Sequence, residues 1–122
     1  MIRTMLQAKL HRVRLTQACL EYEGSCGIDE LLLEASGMVP NQYIEIYNIN
    51  NGIRFSTYII QAPRNSREIS LNGAAARNAQ VGDLLIICAY CGYDESELLR
   101  YAPVVVLVDE HNTPRLPHGD HA

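Results

Sequence analysis

Long apolar runs are missing from this sequence. Its apolar stretches, such as residues 84–87 and 104–108, are far shorter than the ~20 residues that a membrane-spanning helix needs. The first residues also lack the charged start followed by about 7 or more apolar residues that marks a secretory signal. We therefore expect a protein of the cytoplasm with no membrane partner.

Positive charge is also scarce, since 10 Lys and Arg residues stand against 14 Asp and Glu residues and give a net charge of −4. Nucleic-acid-binding proteins usually carry a basic face, so we expect no nucleic-acid partner. Residues 9–14 (KLHRVR) are locally basic, and their alternation predicts a strand with one solvated face. Such a strand suits either a small anionic ligand or a charged sheet edge that resists aggregation.

Familiar cofactor motifs are absent as well, including Gly-x-Gly-x-x-Gly, the phosphate-binding loop and His-Glu-x-x-His. The four cysteines are expected to be reduced in a cytoplasmic chain. Only Cys88 and Cys91 have the Cys-x-x-Cys spacing, and a structural zinc site of this kind needs a second ligand pair. We expect no metal, and a zinc or redox protein that uses Cys88 and Cys91 is an alternative.

What the chain does contain is many short segments of β pattern. Its 122 residues suit one domain, which we assign to residues 1–122. Residues 43–49 and 53–60 flank an Asn-Gly pair, the strongest short-range signal for a hairpin. The best helix candidate is 28–35, with Gly37 just past its end. We predict a mainly β fold, a small β-barrel with one or more short helices, and a mobile tail over residues 110–122.

Three segments combine reactive residue types: residues 22–26 (YEGSC), 54–58 (RFSTY) and 72–76 (NGAAA). Taken singly, each has a structural explanation as a helix-capping loop, a strand or a close-packed turn. Taken together, in this order and after residues 1–7 and 9–12, they resemble the signature segments of the pyruvoyl-dependent aspartate decarboxylase family. The resemblance runs from residue 1 to about residue 108.

This resemblance implies a fold, an activity and a maturation step. The fold is a double-psi β-barrel in a homotetramer, with active sites between subunits. The activity is conversion of L-aspartate into β-alanine and CO2 for pantothenate and coenzyme A synthesis. The zymogen cuts itself between Gly24 and Ser25 into a β chain of residues 1–24 and an α chain of residues 25–122. Ser25 becomes a covalent pyruvoyl group, so neither pyridoxal phosphate nor a metal is needed.

Residue roles are likewise implied by the resemblance. The Ser25 hydroxyl attacks the Gly24 carbonyl, and glycine leaves the backbone free for the conformation that this attack requires. The pyruvoyl carbonyl then forms a Schiff base with aspartate and serves as an electron sink, and Tyr58 donates a proton after CO2 leaves. The other implied roles are substrate binding by Lys9, Arg54, Thr57, Gly73, Ala74 and Ala75, and polar support by His11, Tyr22 and Asn72.

Two questions stay open at this level. The alternative to a self-processing enzyme is a barrel that is never cleaved and acts as a ligand-binding or interaction module. The resemblance also leaves open whether an accessory maturation factor takes part. Cys26 follows Ser25 directly, but the pyruvoyl route requires only the serine, so we interpret Cys26 as a packing residue.

Overall fold

A computed structural model describes residues 1–115, which form eight strands and three short helices. The strands are β1 (Arg3–Arg14), β2 (Gln17–Cys19), β3 (Ser25–Asp29), β4 (Tyr43–Asn48), β5 (Arg54–Ala62), β6 (Ile69–Asn72), β7 (Leu84–Tyr93) and β8 (Val104–Leu107). The helices are α1 (Glu30–Ser36), α2 (Glu95–Leu98) and a 3-10 helix (Gly73–Asn78). None of the helices in this range is long and apolar enough to cross a membrane. The predicted mainly β class with short helices is confirmed.

The strands pair in the order β2-β6-β3-β5-β4-β7-β1-β8. The pairs β1–β8, β2–β6 and β3–β5 are parallel, and the other neighbours are antiparallel. The inward side chains form one continuous core, which includes Leu10, Val13, Ile28, Leu32, Ile46, Ile59, Leu71, Leu85 and Ile87. The pairing leaves β2 and β8 as the two ends of the order, so the double-psi barrel stays a prediction from the resemblance.

The predicted hairpin is formed by β4 and β5. Asn51 Oδ1 accepts a hydrogen bond from the backbone N–H of Ile53, and Gly52 has the positive φ of 77° that this turn requires. The register pairs Tyr47 with Arg54 and Tyr43 with Tyr58. Because side chains alternate along a strand, β5 presents Arg54 and Tyr58 on the same face.

Helix α1 begins two residues later than the sequence pattern predicts. Ile28 and Asp29 end β3, and the Asp29 side chain caps the helix by accepting from the N–H of Leu31 at 2.9 Å. The pattern misplaced the start because Ile28 is buried in a strand, which helical spacing cannot distinguish from a buried helical position. The helix ends at Ser36, one residue beyond the predicted end, and Gly37 just past it adopts the left-handed conformation with φ of 80°, as predicted.

The buried Asp29 carboxylate holds the loop after β5 as well as α1. It accepts from the N–H of Asn65 at 2.9 Å and of Arg67 at 2.7 Å. Asp29→Ala should therefore lower the free energy of unfolding by about 2–4 kcal/mol, because it orphans several backbone donors. Urea unfolding checks this against Glu34→Ala, which removes only an exposed ion pair with Arg64 worth about 1 kcal/mol or less. Equal losses in the two variants would contradict the assignment.

The segment assigned to a mobile tail begins with a fixed turn. Asn112 is buried, and its side chain accepts from the N–H of Arg14 at 2.8 Å and donates to the Arg14 carbonyl at 2.8 Å. It also donates to the Arg67 carbonyl at 3.1 Å. Asn112 thus anchors this turn to the backbone of Arg14 and Arg67, while Glu110, His111 and Arg115 are exposed. The composition of the segment could not reveal this contact, because Asn112 and Arg14 are 98 positions apart in the sequence. The mobility of the tail stays a prediction. The remainder of the predicted tail, residues 116–122, lies outside the described residues.

The Cys-x-x-Cys pair lies inside a strand rather than in a loop. Strand β7 continues through Cys88 and Cys91, and residues three apart on a strand point to opposite faces. Cys88 is buried, and its partners on the neighbouring strands are Glu45 of β4 and Lys9 of β1. The Cys91 sulfur accepts a hydrogen bond from Gln42 Nε2 at 3.8 Å. The two thiols therefore do not converge. Among residues 1–115, no group of three His, Cys, Asp or Glu side chains could hold a metal ion.

Candidate active site

The Gly24–Ser25 bond lies where a loop enters β3. Ser25 begins the strand and pairs with Asn72, the last residue of β6. On its other side, β3 pairs in parallel with β5 in a register that sets Ser25 level with Tyr58. Partners in register share a face of the sheet. The topology therefore brings together three residues that are far apart in the sequence.

The Ser25 hydroxyl is buried and held from two sides. It accepts a hydrogen bond from Asn72 Nδ2 at 3.0 Å and donates to the backbone carbonyl of Glu23 at 3.3 Å. The Asn72 amide is a fixed donor aimed at the β oxygen of Ser25. A fixed amide donor beside Ser25 also suits a carbonyl group formed from this residue.

Gly73 packs its backbone directly against the loop that precedes Ser25. Its φ is 64°, and a Cβ at this position would lie 2.5 Å from the Tyr22 carbonyl oxygen and 2.6 Å from the Gly24 nitrogen. Only glycine accommodates both the conformation and the close approach. Ala74 and Ala75 follow in the 3-10 helix, where Ala74 is exposed and Ala75 is buried.

Gly73→Ala should therefore disturb the Gly24–Ser25 loop. We expect slow or absent chain cleavage and a loss of stability of roughly 2 kcal/mol or more, because strain at φ is added to a steric clash. Gly37→Ala is the matched control, since Gly37 has a similar φ of 80° but nothing within 4 Å of a Cβ. Intact mass against time and thermal unfolding compare the variants. Equal cleavage in both would show that the close approach at Gly73 is unimportant.

Beside Ser25 a cleft of about 620 Å³ opens, and part of its lining matches the sequence predictions. Tyr22, Ser25, Tyr58 and Asn72 line it together. Thr57 does not, because it alternates to the face of β5 opposite Tyr58. The structure thus brings four of the predicted site residues to one cleft of a single chain.

Cys26 is not available as a competing nucleophile. Its side chain is fully buried in the core. Burial, together with the negative charge of Glu68, raises the pKa of the Cys26 thiol to about 12. A thiol nucleophile must be ionised and accessible, so this residue packs the core, as the sequence interpretation expected.

A second polar cluster surrounds Arg54 on the outer face of β5, β4 and β7. The Arg54 guanidinium carbon lies 4.4 Å from the Tyr47 ring centroid, a cation–π contact. The Tyr47 hydroxyl donates to Glu45 Oε1 at 2.9 Å and lies 2.9 Å from the Tyr90 hydroxyl. Burial and these two hydrogen bonds raise the pKa of Tyr47. We call Glu45, Tyr47, Arg54 and Tyr90 the Arg54 cluster.

Lys9 and His11 lie on β1, on the far side of the Arg54 cluster from Ser25. Lys9 pairs with Cys88, the β7 partner of Glu45. Burial, with the positive charges of Lys9 and Arg12, lowers the pKa of His11, whose Nδ1 has no hydrogen-bond partner among the described residues. From β3 to β1 is four strand steps. Neither Lys9 nor His11 is among the residues that line the cleft beside Ser25.

Several residues that line these two regions were missed from the sequence. In the cleft they are Glu68 and Ser70, and in the Arg54 cluster they are Glu45 and Tyr47. Strand alternation could have found both pairs. Residues 68 and 70 lie on the same face as Asn72, which was predicted for the site, and residues 45 and 47 share a face of β4. What the sequence could not supply was which face of each strand meets the site.

A buried serine held by an amide donor in a cleft that also contains a tyrosine is an enzyme-type site, carried here on a mainly β scaffold. Residues 1–115 match the family model described as Aspartate decarboxylase, and the chain belongs to that family. The resemblance proposed from the signature segments is confirmed.

Curated relatives cover nearly the whole chain. A protein of Ralstonia pickettii is 63% identical over 112 residues, which are 92% of this chain and 93% of the relative. Proteins of Bordetella avium and Cupriavidus necator are 62% and 61% identical over 112 residues, 92% of this chain and 92% and 93% of the relatives. Each relative is named aspartate 1-decarboxylase.

Proposed function

We propose that this chain is a self-processing aspartate decarboxylase that makes its own pyruvoyl group from Ser25 and works in the cytoplasm. As a carboxy-lyase, it converts L-aspartate into β-alanine and CO2 for pantothenate and coenzyme A synthesis. The observation that carries the proposal is the 3.0 Å hydrogen bond from Asn72 Nδ2 to Ser25 Oγ, beside a Gly-Ser bond at the cleft. It holds the reacting hydroxyl and supplies a fixed donor.

The proposed maturation uses both the β oxygen and the α hydrogen of Ser25. The hydroxyl attacks the Gly24 carbonyl, and the peptide bond is exchanged for an ester. Loss of the Ser25 Cα proton then expels the Gly24 carboxylate and leaves dehydroalanine at the start of the new chain. Water replaces its nitrogen, which departs as ammonia, and the ketone remains. Serine suits this sequence because its oxygen is first the nucleophile and then the leaving group.

Once formed, the pyruvoyl group supplies an electron sink for the carbon that loses CO2, as pyridoxal phosphate does in other enzymes. Two side chains of the cleft support this part of the proposal. Asn72 would donate a hydrogen bond to the group, and Tyr58, whose side chain lines the same cleft, would return a proton to the decarboxylated carbon. The proposal includes no metal and no pyridoxal phosphate.

We assign the carboxylates of the substrate to Lys9 and Arg54. The planar guanidinium of arginine suits paired hydrogen bonds to a carboxylate. Neither Lys9 nor Arg54 lines the Ser25 cleft of the same chain, so in this proposal the basic residues come from a neighbouring copy. A homotetramer with sites between subunits meets this requirement. Thr57, Ala74 and Ala75 stay predictions as substrate contacts.

Denaturing intact mass with and without phenylhydrazine tests the proposal. We expect two fragments that meet at Gly24 and Ser25, with a hydrazone on the larger one. A single chain that stays intact and unreactive after incubation and heating would favour the alternative, a barrel that is never cleaved and serves as a binding or interaction module. Aspartate is then the first substrate to assay on the cleaved protein.

Tyr58→Phe should separate maturation from turnover. The variant loses only the hydroxyl, so we expect normal cleavage but a turnover rate lower by about 10²–10⁴, the usual contribution of a general acid. Tyr43→Phe is the matched control, since Tyr43 faces Tyr58 across the hairpin and is exposed. Decarboxylation rates and intact masses are compared. If the Tyr58 variant turns over like the Tyr43 variant, another group supplies the proton.

A further inference from the structure

A carboxylate without an assigned role lies inside the cleft. Glu68 precedes β6, and its Oε2 accepts a hydrogen bond from Ser70 Oγ at 2.8 Å. Gly27 of β3 pairs with Ser70, and a Cβ at position 27 would collide with Ser70 Oγ and lie 2.9 Å from Glu68 Oε2. The missing side chain of Gly27 therefore makes room for the Glu68 carboxylate over the sheet.

This carboxylate is near the reacting residue. Gly27 and Ser25 are two positions apart on β3, which sets the carboxylate roughly 7 Å from Ser25 along the strand. A bound substrate can bridge that distance, whereas Ser25 Oγ itself has other partners, Asn72 and the Glu23 carbonyl. The position suits a contact with the substrate rather than with the serine.

The substrate of the proposed function requires a base at this point. An amino acid carries an ammonium group at neutral pH, and an ammonium nitrogen has no lone pair with which to attack a ketone. Lys9 and Arg54 are assigned to carboxylates, and neither accepts a proton when charged. We propose that Glu68 is the catalytic base that binds the α-ammonium group of aspartate and takes one of its protons. This inference rests on the proposed pyruvoyl function.

The proton balance closes within the cleft. One ammonium proton moves to the Glu68 carboxylate, and the neutral amine attacks the ketone carbon. A second proton moves from the attacking nitrogen to the ketone oxygen, which becomes a hydroxyl. The first proton then passes from Glu68 to that hydroxyl, which leaves as water as the carbon–nitrogen double bond forms. Glu68 ends ionised, and no further reactant is needed.

Other titratable side chains that line the cleft are Cys19, Tyr22, Glu23 and Tyr58. Only Glu23 shares the carboxylate chemistry. It is exposed at the loop, whereas Glu68 is half-buried and fixed by Ser70. A fixed, partly desolvated carboxylate is the better partner for an ammonium group. Glu23→Gln is therefore the matched control for Glu68→Gln. This substitution keeps the backbone carbonyl of residue 23, which accepts the hydrogen bond from Ser25 Oγ.

The experiment compares two nucleophiles on the mature, cleaved enzyme. Phenylhydrazine is uncharged at neutral pH and needs no base, whereas aspartate does. Adducts are quantified by intact mass. Cyanoborohydride reduces the Schiff bases of aspartate and of β-alanine to stable adducts, and the two are added because the second forms from the first by loss of CO2. We expect Glu68→Gln to slow aspartate capture by about a hundredfold or more while phenylhydrazine reacts at the wild-type rate. The deficit should shrink as pH rises and free amine becomes abundant.

The outcomes separate this inference from the proposed function. If the wild type forms no hydrazone, the pyruvoyl proposal itself fails. If the hydrazone forms but Glu68→Gln captures aspartate as fast as Glu23→Gln does, Glu68 is not the base. The same conclusion holds if Glu68→Gln reacts more slowly with aspartate and with phenylhydrazine by the same factor. Rates are normalised to hydrazone-forming chains, which corrects for partial cleavage. If Glu68→Gln is not cleaved at all, Glu68→Asp carries the test: slower aspartate capture at a normal hydrazone rate supports the inference, and unchanged capture overturns it.

Discussion

Replacing Ser25 by alanine is expected to leave the chain uncleaved at 122 residues and without decarboxylase activity. Alanine has no β oxygen, so neither the attack on Gly24 nor the later elimination can occur. The Asn72 amide would lose its acceptor, the Ser25 hydroxyl, but the core around β3 would keep its apolar contacts. Intact mass and CO2 release from aspartate measure the two effects. The variant should remain folded, because the change removes one atom from a strand that stays fully paired.

Cys26→Ala is the natural comparison for this variant, because it changes the neighbouring side chain. Cys26 lies in the core and its ionisation is suppressed, so we expect its loss to leave both cleavage and turnover in place. A small loss of stability is expected from the smaller buried side chain. Release of CO2 by Ser25→Ala, or abolition of cleavage by Cys26→Ala, would each contradict the assignment of Ser25 as the nucleophile.

The site residues that could be predicted are those that lie in short, recognisable segments of the sequence. Tyr22, Ser25, Tyr58 and Asn72 belong to short segments whose residue types and order pointed to one family, and they meet in one cleft. The hairpin that carries Tyr58 was predicted from its turn. In each case the signal lay within about five consecutive residues.

The parts that could not be predicted depend on long-range packing. Glu68 enters the cleft because Gly27, on another strand, lacks a side chain there. Asn112 fixes the final turn through the backbone of Arg14, 98 positions away. A single sequence does not show which strands become neighbours, so a glycine or an asparagine of this kind looks like any other loop residue.

Co-expression of Ser25→Ala and Arg54→Ala chains is expected to restore decarboxylation that neither variant has alone. In one chain the cleft and Lys9 lie on strands four steps apart, and Arg54 lies at the end of β5 away from Tyr58. If a site combines the cleft of one copy with the basic residues of another, a mixed assembly contains sites with both parts intact. Assembly into a symmetric oligomer brings the same surfaces together at each interface.

The amount of recovery and its control make this result decisive. With equal amounts of both chains mixed at random, about one quarter of the sites should be complete, so activity should approach one quarter of the wild type. Co-expression of Ser25→Ala with Tyr58→Phe is the control, because those two residues line the same cleft on adjacent strands and cannot be supplied separately. Recovery in that control, or no recovery with Arg54→Ala despite mixed assembly shown by native mass spectrometry, would mean that Arg54 does not act across subunits. Recovery only in the Arg54 pair would link the Arg54 cluster of one copy to the Ser25 cleft of its neighbour.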